Sequence, residues 1–201
     1  MLVDSVALVL AELNAFIHRS DGNPVGTAAV AILGNISQTE HVDISNDLEN
    51  QLVLTLLNVD EEQTMRNEPT FTRLSPTVVE YHNVPLSLNL HLLFSANYRN
   101  YNTALRRIQQ VLTFFQGKNR FTPANSPGAV PGLDPTTDLA ITMDLISLSF
   151  EEINHIWGAL GGKQLPSVSY RARLVTLRDS KLLEGGGTIR EIDVVGRDAT
   201  A

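Results

Sequence analysis

The sequence has 201 residues and no cysteine, which fits one domain with a buried core and excludes disulfides, thiolate zinc sites and cysteine nucleophiles. It contains no apolar run of the roughly 18 residues that predict a membrane-spanning helix. The net charge of −7 argues against nucleic acid as a partner, because domains that bind it are normally basic.

The charges are segregated along the chain. Residues 40–68 hold eight acidic residues and one arginine, whereas residues 81–133 hold five basic residues and no acidic one. Separate acidic and basic surfaces are typical of proteins that bind other proteins. Chance clustering on a solvated surface is the alternative interpretation.

The N-terminal segment is predicted to be an amphipathic helix that packs on a core. Its apolar residues recur at helical spacing: Leu2, Val6, Val9, Leu13 and Phe16 or Ile17. The segment carries Asp4 and Glu12 and lacks a basic head, so we do not interpret it as a signal peptide. A turn over 20–24 and strands over 27–37 and 50–64 are expected next.

The clearest strand pattern spans residues 85–98. Leucines at even positions alternate there with Ser87, Asn89 and His91, which predicts a strand with one buried face and one solvated face. We interpret His91 as a solvated strand residue, with a ligand or a base as the alternative.

A helix is predicted over 100–118, with Arg106 and Arg107 off its apolar stripe. The stripe consists of Ala104 or Leu105, Ile108, Val111 or Leu112, and Phe115. Residues 122–137 are rich in proline and predict an ordered surface loop or a lid.

Two further alternating segments, 138–146 and 166–177, predict strands. Because helices and alternating strands are mixed, the sequence predicts an α+β fold. We expect an antiparallel or mixed sheet with helices packed on one face.

The segment from Ser147 to Ser167 contains Glu-x-x-His and Gly-Gly-Lys, which suggest a metal site and a phosphate site. A helix explains them better. Ser149 and Glu152 have the spacing of a capping box, and Gly161 and Gly162 end the helix. Di-iron sites need a second Glu-x-x-His and zincins need His-Glu-x-x-His, whereas a P-loop needs different glycine spacing. We predict no catalytic, cofactor or metal site here.

Four blocks of the sequence resemble a known family. They are "LVLTLLNVDEEQTMRNEP", "YHNVPLSLNLHLLFSANYRNY", "LTFFQGKNRFTPANSP" and "LSFEEINHIWGALGGKQLPSVSYRARLV". Together they resemble the tail-terminator or cap proteins of phage-tail-like contractile injection systems, of which the antifeeding-prophage type is the best known. The resemblance covers residues 1–178, and residues 179–201 are expected to form a C-terminal arm.

The resemblance implies a non-enzymatic assembly protein with a fold like that of phage tail terminators. It implies a homohexameric ring that caps the inner tube and the contractile sheath, with the tube protein and the sheath protein as partners. It implies no cofactor, and assembly in the bacterial cytoplasm as part of a particle. Two alternatives stay open: a baseplate or effector-loading adaptor of the same particle, and an enzyme with a dispersed acid–base site.

Two surfaces are candidates for contacts between subunits. In a ring, one patch of each chain meets a different patch of its neighbour. We expect the basic Arg106 and Arg107 to face the acidic Asp60, Glu61 and Glu62 of the neighbour.

The C-terminal arm is the second candidate. Gly185, Gly186 and Gly187 are expected to form a hinge, because glycine adds backbone entropy to an ordered element. Beyond them the sequence favours a strand that pairs with another subunit. This segment consists of Thr188, Ile189, Arg190, Glu191, Ile192, Asp193, Val194 and Val195.

Overall fold

The computed structural model describes residues 2–22, 28–40, 48–62, 71–75, 78–82, 86–134, 139–177 and 182–187. The helices are α1 (Leu2–Asp21), α2 (Tyr101–Gly117) and α3 (Phe150–Ala159), with a short 3-10 helix at Ile36–Glu40. The strands are β1 (Ala31–Leu33), β2 (Gln51–Glu61), β3 (Phe71–Ser75), β4 (Val78–His82), β5 (Leu86–Asn97), β6 (Arg120–Phe121), β7 (Ile141–Ile146), β8 (Ser167–Leu177) and β9 (Leu182–Gly187).

Two sheets are present in the described part of the chain. The main sheet has six strands in the order β1-β2-β5-β8-β7-β6, and the small sheet has three in the order β3-β4-β9. Strand β1 runs parallel to β2, and the other neighbours in the main sheet are antiparallel. The predicted α+β fold with a mixed sheet and flanking helices is confirmed.

Helices α1 and α2 cover one face of the main sheet. The core on this α1–α2 face holds side chains such as Leu13 of α1, Val111 of α2 and Leu54 of β2. An aromatic cluster fills its centre, where the Tyr170 ring lies 4.5 Å from the Phe115 ring, centroid to centroid. This burial accounts for the predicted amphipathic pattern of α1.

Helix α3 packs on the opposite face, so the prediction that all helices share one face is wrong. Trp157 of α3 is buried against Val53 of β2 and Leu93 of β5. Successive strand residues point to opposite faces, which is why Val53 lies here while Leu52 and Leu54 face α1 and α2.

Strand β5 therefore lacks a continuous solvated face. The predicted pattern holds for His91, which is half-buried, but Leu93 and Ser95 on the same face are buried. The leucine-rich face was predicted correctly. The other face is covered by Trp157, which lies 64 positions after Leu93, and strand alternation alone does not reveal such a distant partner.

The buried stripe of α2 also differs from the predicted one. Its core residues are Ala104, Val111, Phe114 and Phe115, together with Gln110. Leu105 and Leu112 stay exposed, because the apolar arc of the helix is wider than the surface it packs on.

The small sheet is joined to one end of the three central strands of the main sheet. Strand β2 ends at Glu61, β5 begins at Leu86 and β8 ends at Leu177, and the register of pairing brings these ends together. All three connections to β3, β4 and β9 therefore leave from the same end of the main sheet.

The predicted glycine hinge is wrong, because the glycines lie in β9. Gly185, Gly186 and Gly187 pair with Glu80, Val79 and Val78 of β4. Backbone hydrogen bonding across the sheet thus outweighs the entropic cost of glycine at this position. The boundary after residue 178 stays a prediction, and residues 188–195 lie outside the described residues.

Candidate assembly surface

One edge of the main sheet is only partly covered. Strand β2 has 11 residues, but β1 pairs only with Leu52–Leu54. Within the described residues, no strand pairs with β2 on the side away from β5 along Leu56–Asp60. We call this stretch the open edge of β2.

The side chain of Thr55 explains why β1 stops where it does. Its hydroxyl donates to the Gly34 carbonyl at 2.8 Å and accepts from the Ile36 amide at 3.2 Å. These bonds replace the next main-chain pair and turn the chain into the 3-10 helix. A Cβ at Gly34 would lie 2.8 Å from the end of the Leu48 side chain, so a larger residue here would require Leu48 to shift. The predicted strand over 27–37 is therefore shortened at its end.

Asn14 of α1 forms hydrogen bonds with the backbone groups on the outer side of β1. Its Oδ1 accepts from the Val30 and Ala31 amides at 2.9 and 2.8 Å, and its Nδ2 donates to the Ala31 carbonyl at 2.8 Å. The side-chain amide thus acts as a neighbouring strand would. The sequence analysis missed this role, although a polar residue beside Leu10, Leu13 and Ile17 in an apolar stripe was a signal for it.

An apolar groove of about 630 Å³ runs along the start of the open edge. Leu33, Leu56 and Leu57 line it from the sheet, and Ile156 and Leu160 line it from α3. Leu33 is 53% exposed and Leu56 is 39% exposed, so packing among the described residues leaves much of both apolar side chains open to solvent.

The three predicted acidic residues lie at the end of β2 and directly after it, and two of them contact β5. Asp60 Oδ2 lies 2.7 Å from His91 Nε2, and Glu62 Oε2 accepts from Asn89 Nδ2 at 2.8 Å. A bulge at Leu56–Asn58 sets this alignment. His91 is thus a hydrogen-bonding partner of Asp60 on a partly solvated part of the strand. The carboxylate of Asp60 remains half exposed to solvent.

The predicted basic surface is divided between a buried and an exposed arginine. Arg107 is bound by Asp21 and lies over the Tyr98 ring, and 15% of its side chain is exposed. Arg106 donates to Asp21 at 2.9 Å, yet 61% of its side chain is exposed. Arg106 is therefore the more exposed of the two arginines.

Asp21 is held ionised by these contacts. Its burial is the largest influence and opposes ionisation, but hydrogen bonds from Arg107 and Gln110 and the charges of both arginines outweigh it. The pKa of Asp21 is therefore lowered from its ordinary value of 3.8. The network joins the end of α1 to the start of α2.

The segment around Ser149 forms the predicted capping box. Glu152 Oε2 accepts from the Ser149 amide at 2.7 Å, and Ser149 Oγ accepts from the Glu152 amide at 3.2 Å. These bonds lower the pKa of Glu152. Gly161 and Gly162 have positive φ and end the helix as predicted, while His155 and Lys163 are exposed.

Across the described residues, the structure has no group of three His, Cys, Asp or Glu side chains placed to bind a metal ion. The same residues include no helix long and apolar enough to cross a membrane.

Comparison with solved structures shows the fold. The chain is similar over its full length to the sheath/tube terminator of the extracellular contractile injection system PVC in its extended state. The TM-score is 0.63 and the identity 11%, and the match spans 65% of that chain. It is also similar to the tube-terminating cap of the anti-feeding prophage, with a TM-score of 0.51 and 11% identity over 73% of this chain and 49% of that one.

No curated protein matches the sequence. Residues 7–191 do match a family model described as the Pvc16 N-terminal domain. This match covers all the described elements except the first turn of α1, and it confirms the resemblance of the sequence to tail-terminator and cap proteins. The chain belongs to the Pvc16 N-terminal domain family.

Proposed function

We propose that the chain is a structural subunit that caps the tube and the sheath of a phage-tail-like contractile injection particle. The observation that carries this proposal is the family match over residues 7–191, which a fold match to a sheath/tube terminator accompanies. Its partners in this role are the inner tube protein, the contractile sheath protein and further copies of itself. The role is non-enzymatic and needs no cofactor, and assembly takes place in the bacterial cytoplasm.

The proposed ring is a homohexamer closed by a heterologous interface, in which Arg106 of one copy faces Asp60, Glu61 and Glu62 of the next. The exposed guanidinium of Arg106 and the half-exposed carboxylate of Asp60 support this pairing. Arg107 contributes mainly by holding Asp21 at the base of this surface.

The C-terminal residues 188–195 are proposed to pair with another subunit, either a ring neighbour or the sheath. Their β-branched content suits an added strand. Strand β9, which leads into them, is itself held by backbone pairing to β4, and this supports a strand that continues outward.

Electron microscopy of particles produced without this chain tests the proposed function. Loss of a cap leaves tubes and sheaths of uncontrolled length or low stability, because nothing stops their polymerisation. Loss of a baseplate or effector-loading component leaves no normal particles, or particles of normal length without cargo. Particles of normal length and stability would refute the capping role.

A further inference from the structure

We propose that Phe150 of one copy inserts into the apolar groove beside β2 of the next copy, so that the two ends of α3 join the copies head to tail. The inference rests on the proposed function in one respect, because it requires that copies of the chain meet. It identifies an anchoring side chain and the surface that receives it, neither of which the proposed charge pairing supplies.

Phe150 is the most exposed large apolar side chain among the described residues, at 94%. It is the first residue of α3, and the capping box at Ser149 fixes the start of this helix. An aromatic side chain buries about 150–250 Å² when it is covered. Because aromatic residues are enriched among those that dominate binding energy, this solvated ring is a candidate anchor for a partner.

The groove is suited to receive an aromatic ring. Its volume of about 630 Å³ lies within the range of pockets that enclose small organic groups. Its apolar lining includes Leu57, Ile156 and Leu160, and these side chains pack with the buried Trp157. Ala159, a small exposed residue at the end of α3, leaves room between them.

Helix α3 holds the anchor and the groove at opposite edges of the main sheet. Phe150 follows the end of β7, which β6 covers only at its other end, whereas Ile156 and Leu160 line the groove together with Leu33 and Leu56. The ten residues of α3 extend about 15 Å, which matches the roughly 14 Å from β7 through β8 and β5 to β2. Phe150 therefore does not reach the groove of its own chain, and a second copy supplies it.

The charges at the two ends of α3 are complementary. Glu151 is exposed beside Phe150, and Glu152 lies in the same turn. At the groove, Lys163 is exposed three positions after Leu160. In the head-to-tail contact, the acidic start of α3 in one copy approaches the lysine that follows α3 in the next. This complementarity favours a second copy as the partner and orients it.

An anchor at one edge and a groove at the other define a heterologous contact, which repeats from copy to copy and closes into a ring. A standard interface buries about 800 Å² on each partner, which is more than one side chain provides. Phe150 is thus the anchor within a wider contact, and its removal is expected to weaken the whole.

Substitutions at the two ends of α3 test the inference in the full chain. Phe150→Glu removes the anchor and Leu33→Glu places a charge in the groove. We expect each to raise the protein concentration for half assembly by about 30-fold, the loss typical of an aromatic anchor, in analytical ultracentrifugation. Ala159→Phe, which fills the groove without adding a charge, should act like Leu33→Glu. Val3→Glu, at an exposed apolar position of α1, is the matched control and should assemble like the wild type.

A mixture of the two defective variants tests the direction of the contact. Phe150→Glu keeps the groove and Leu33→Glu keeps the anchor, so one productive contact remains for each pair. We expect the mixture to form dimers and nothing larger in native mass spectrometry, at a concentration where each variant alone is monomeric. Wild-type assembly that stops at a dimer would mean that two copies exchange their anchors mutually, and it would overturn the head-to-tail arrangement.

Trp157 reports whether the groove is occupied. It is the only tryptophan in the sequence, and it packs with Ile156 and Leu160 of the groove lining. We expect the fluorescence of the wild type to change over the concentration range of assembly, and that of Phe150→Glu to stay constant over the same range. Assembly of the wild type without a change in fluorescence would overturn insertion into the groove.

The remaining outcomes separate this inference from the proposed function. A ring that forms at wild-type concentrations with Phe150→Glu would overturn the inference and leave the ring standing. A wild-type chain that stays monomeric at every concentration tested would overturn the inference too, while the capping role is decided by electron microscopy of particles. Particles of normal length and stability without the chain, with assembly that still depends on Phe150, would refute the capping role and leave this inference standing.

Discussion

At the scale of single residues, Asn14 makes three hydrogen bonds to the backbone of β1. We expect Asn14→Leu to destabilise the protein by about 2–3 kcal/mol, because it leaves backbone groups of Val30 and Ala31 unpaired. Asn14→Asp keeps the acceptor and loses the donor, so its cost should be smaller. Urea denaturation measures both, with the exposed Asn102→Leu as control. Equal stability of all three variants would show that water replaces the amide.

Asp21 gives a pH dependence whose sign follows from its lowered pKa. The ionised carboxylate contributes stability above its ordinary pKa of 3.8, and this stability is lost as the pH falls through the lower pKa of the folded state. We expect Asp21→Asn to cost about 1–2 kcal/mol at pH 7, from the charged hydrogen bonds to Arg107 and Gln110.

The difference between wild type and Asp21→Asn should shrink below pH 3.8. Denaturation curves at pH 7 and at successively lower pH values measure it. Asp60→Asn is the control, because its exposed pair with His91 is worth only about 0–1 kcal/mol. A difference in the free energy of unfolding that stays constant with pH would mean that the charge of Asp21 does not contribute to stability.

At the scale of elements, α3 depends on its capping box and on Trp157. We expect Ser149→Ala to cost about 1 kcal/mol, because the Glu152 amide at the start of the helix loses the hydroxyl oxygen that accepts its hydrogen bond. Trp157 is the only tryptophan in the sequence, so its fluorescence reports the docking of α3 during urea denaturation. Ser147→Ala, an exposed substitution before the helix, should have little effect. Equal midpoints for both variants would contradict the prediction.

The sequence analysis predicted elements well where the signals are local. The capping box and the terminating glycines of α3 are both read from neighbouring residues, and the helix was predicted correctly. Strand β1 was predicted too long because its end is set by Thr55, which lies 21 residues from Gly34 in the chain. The hinge at Gly185–Gly187 was wrong because pairing with β4 depends on residues about 100 positions away.

At the scale of the whole molecule, the proposed ring should respond to charge reversal. We expect Arg106→Glu to weaken the hexamer, and more so at low salt, because exposed charges are screened as salt rises. Adding Asp60→Lys should recover part of the loss by restoring opposite signs. Native mass spectrometry at low and high salt measures the hexamer fraction.

Arg120→Glu is the matched control, since it reverses an exposed charge on β6, beyond the C-terminal end of α2 and 14 positions from Arg106. An unchanged hexamer with Arg106→Glu would remove this arginine from the interface.

The fold class and the charge segregation could be predicted from the sequence, but the spatial arrangement could not. Alternation indicates which residues of a strand face a core, but it does not indicate which strands are neighbours. The strand order β1-β2-β5-β8-β7-β6 could therefore not be predicted from the sequence. Likewise, Asp21 belongs to neither charged segment, yet it binds Arg107 across 86 positions. The open edge of β2 was missed because a strand edge without a partner among the described residues leaves no pattern in the sequence.

The attachment of the small sheet to one end of β2, β5 and β8 has a mechanical consequence. A pull on the small sheet enters three adjacent strands at the same end and along their axes. The hydrogen bonds between them lie perpendicular to that direction, so no strand is peeled from its neighbour bond by bond. The main sheet therefore takes up such a load as a stiff unit, which suits the proposed capping role.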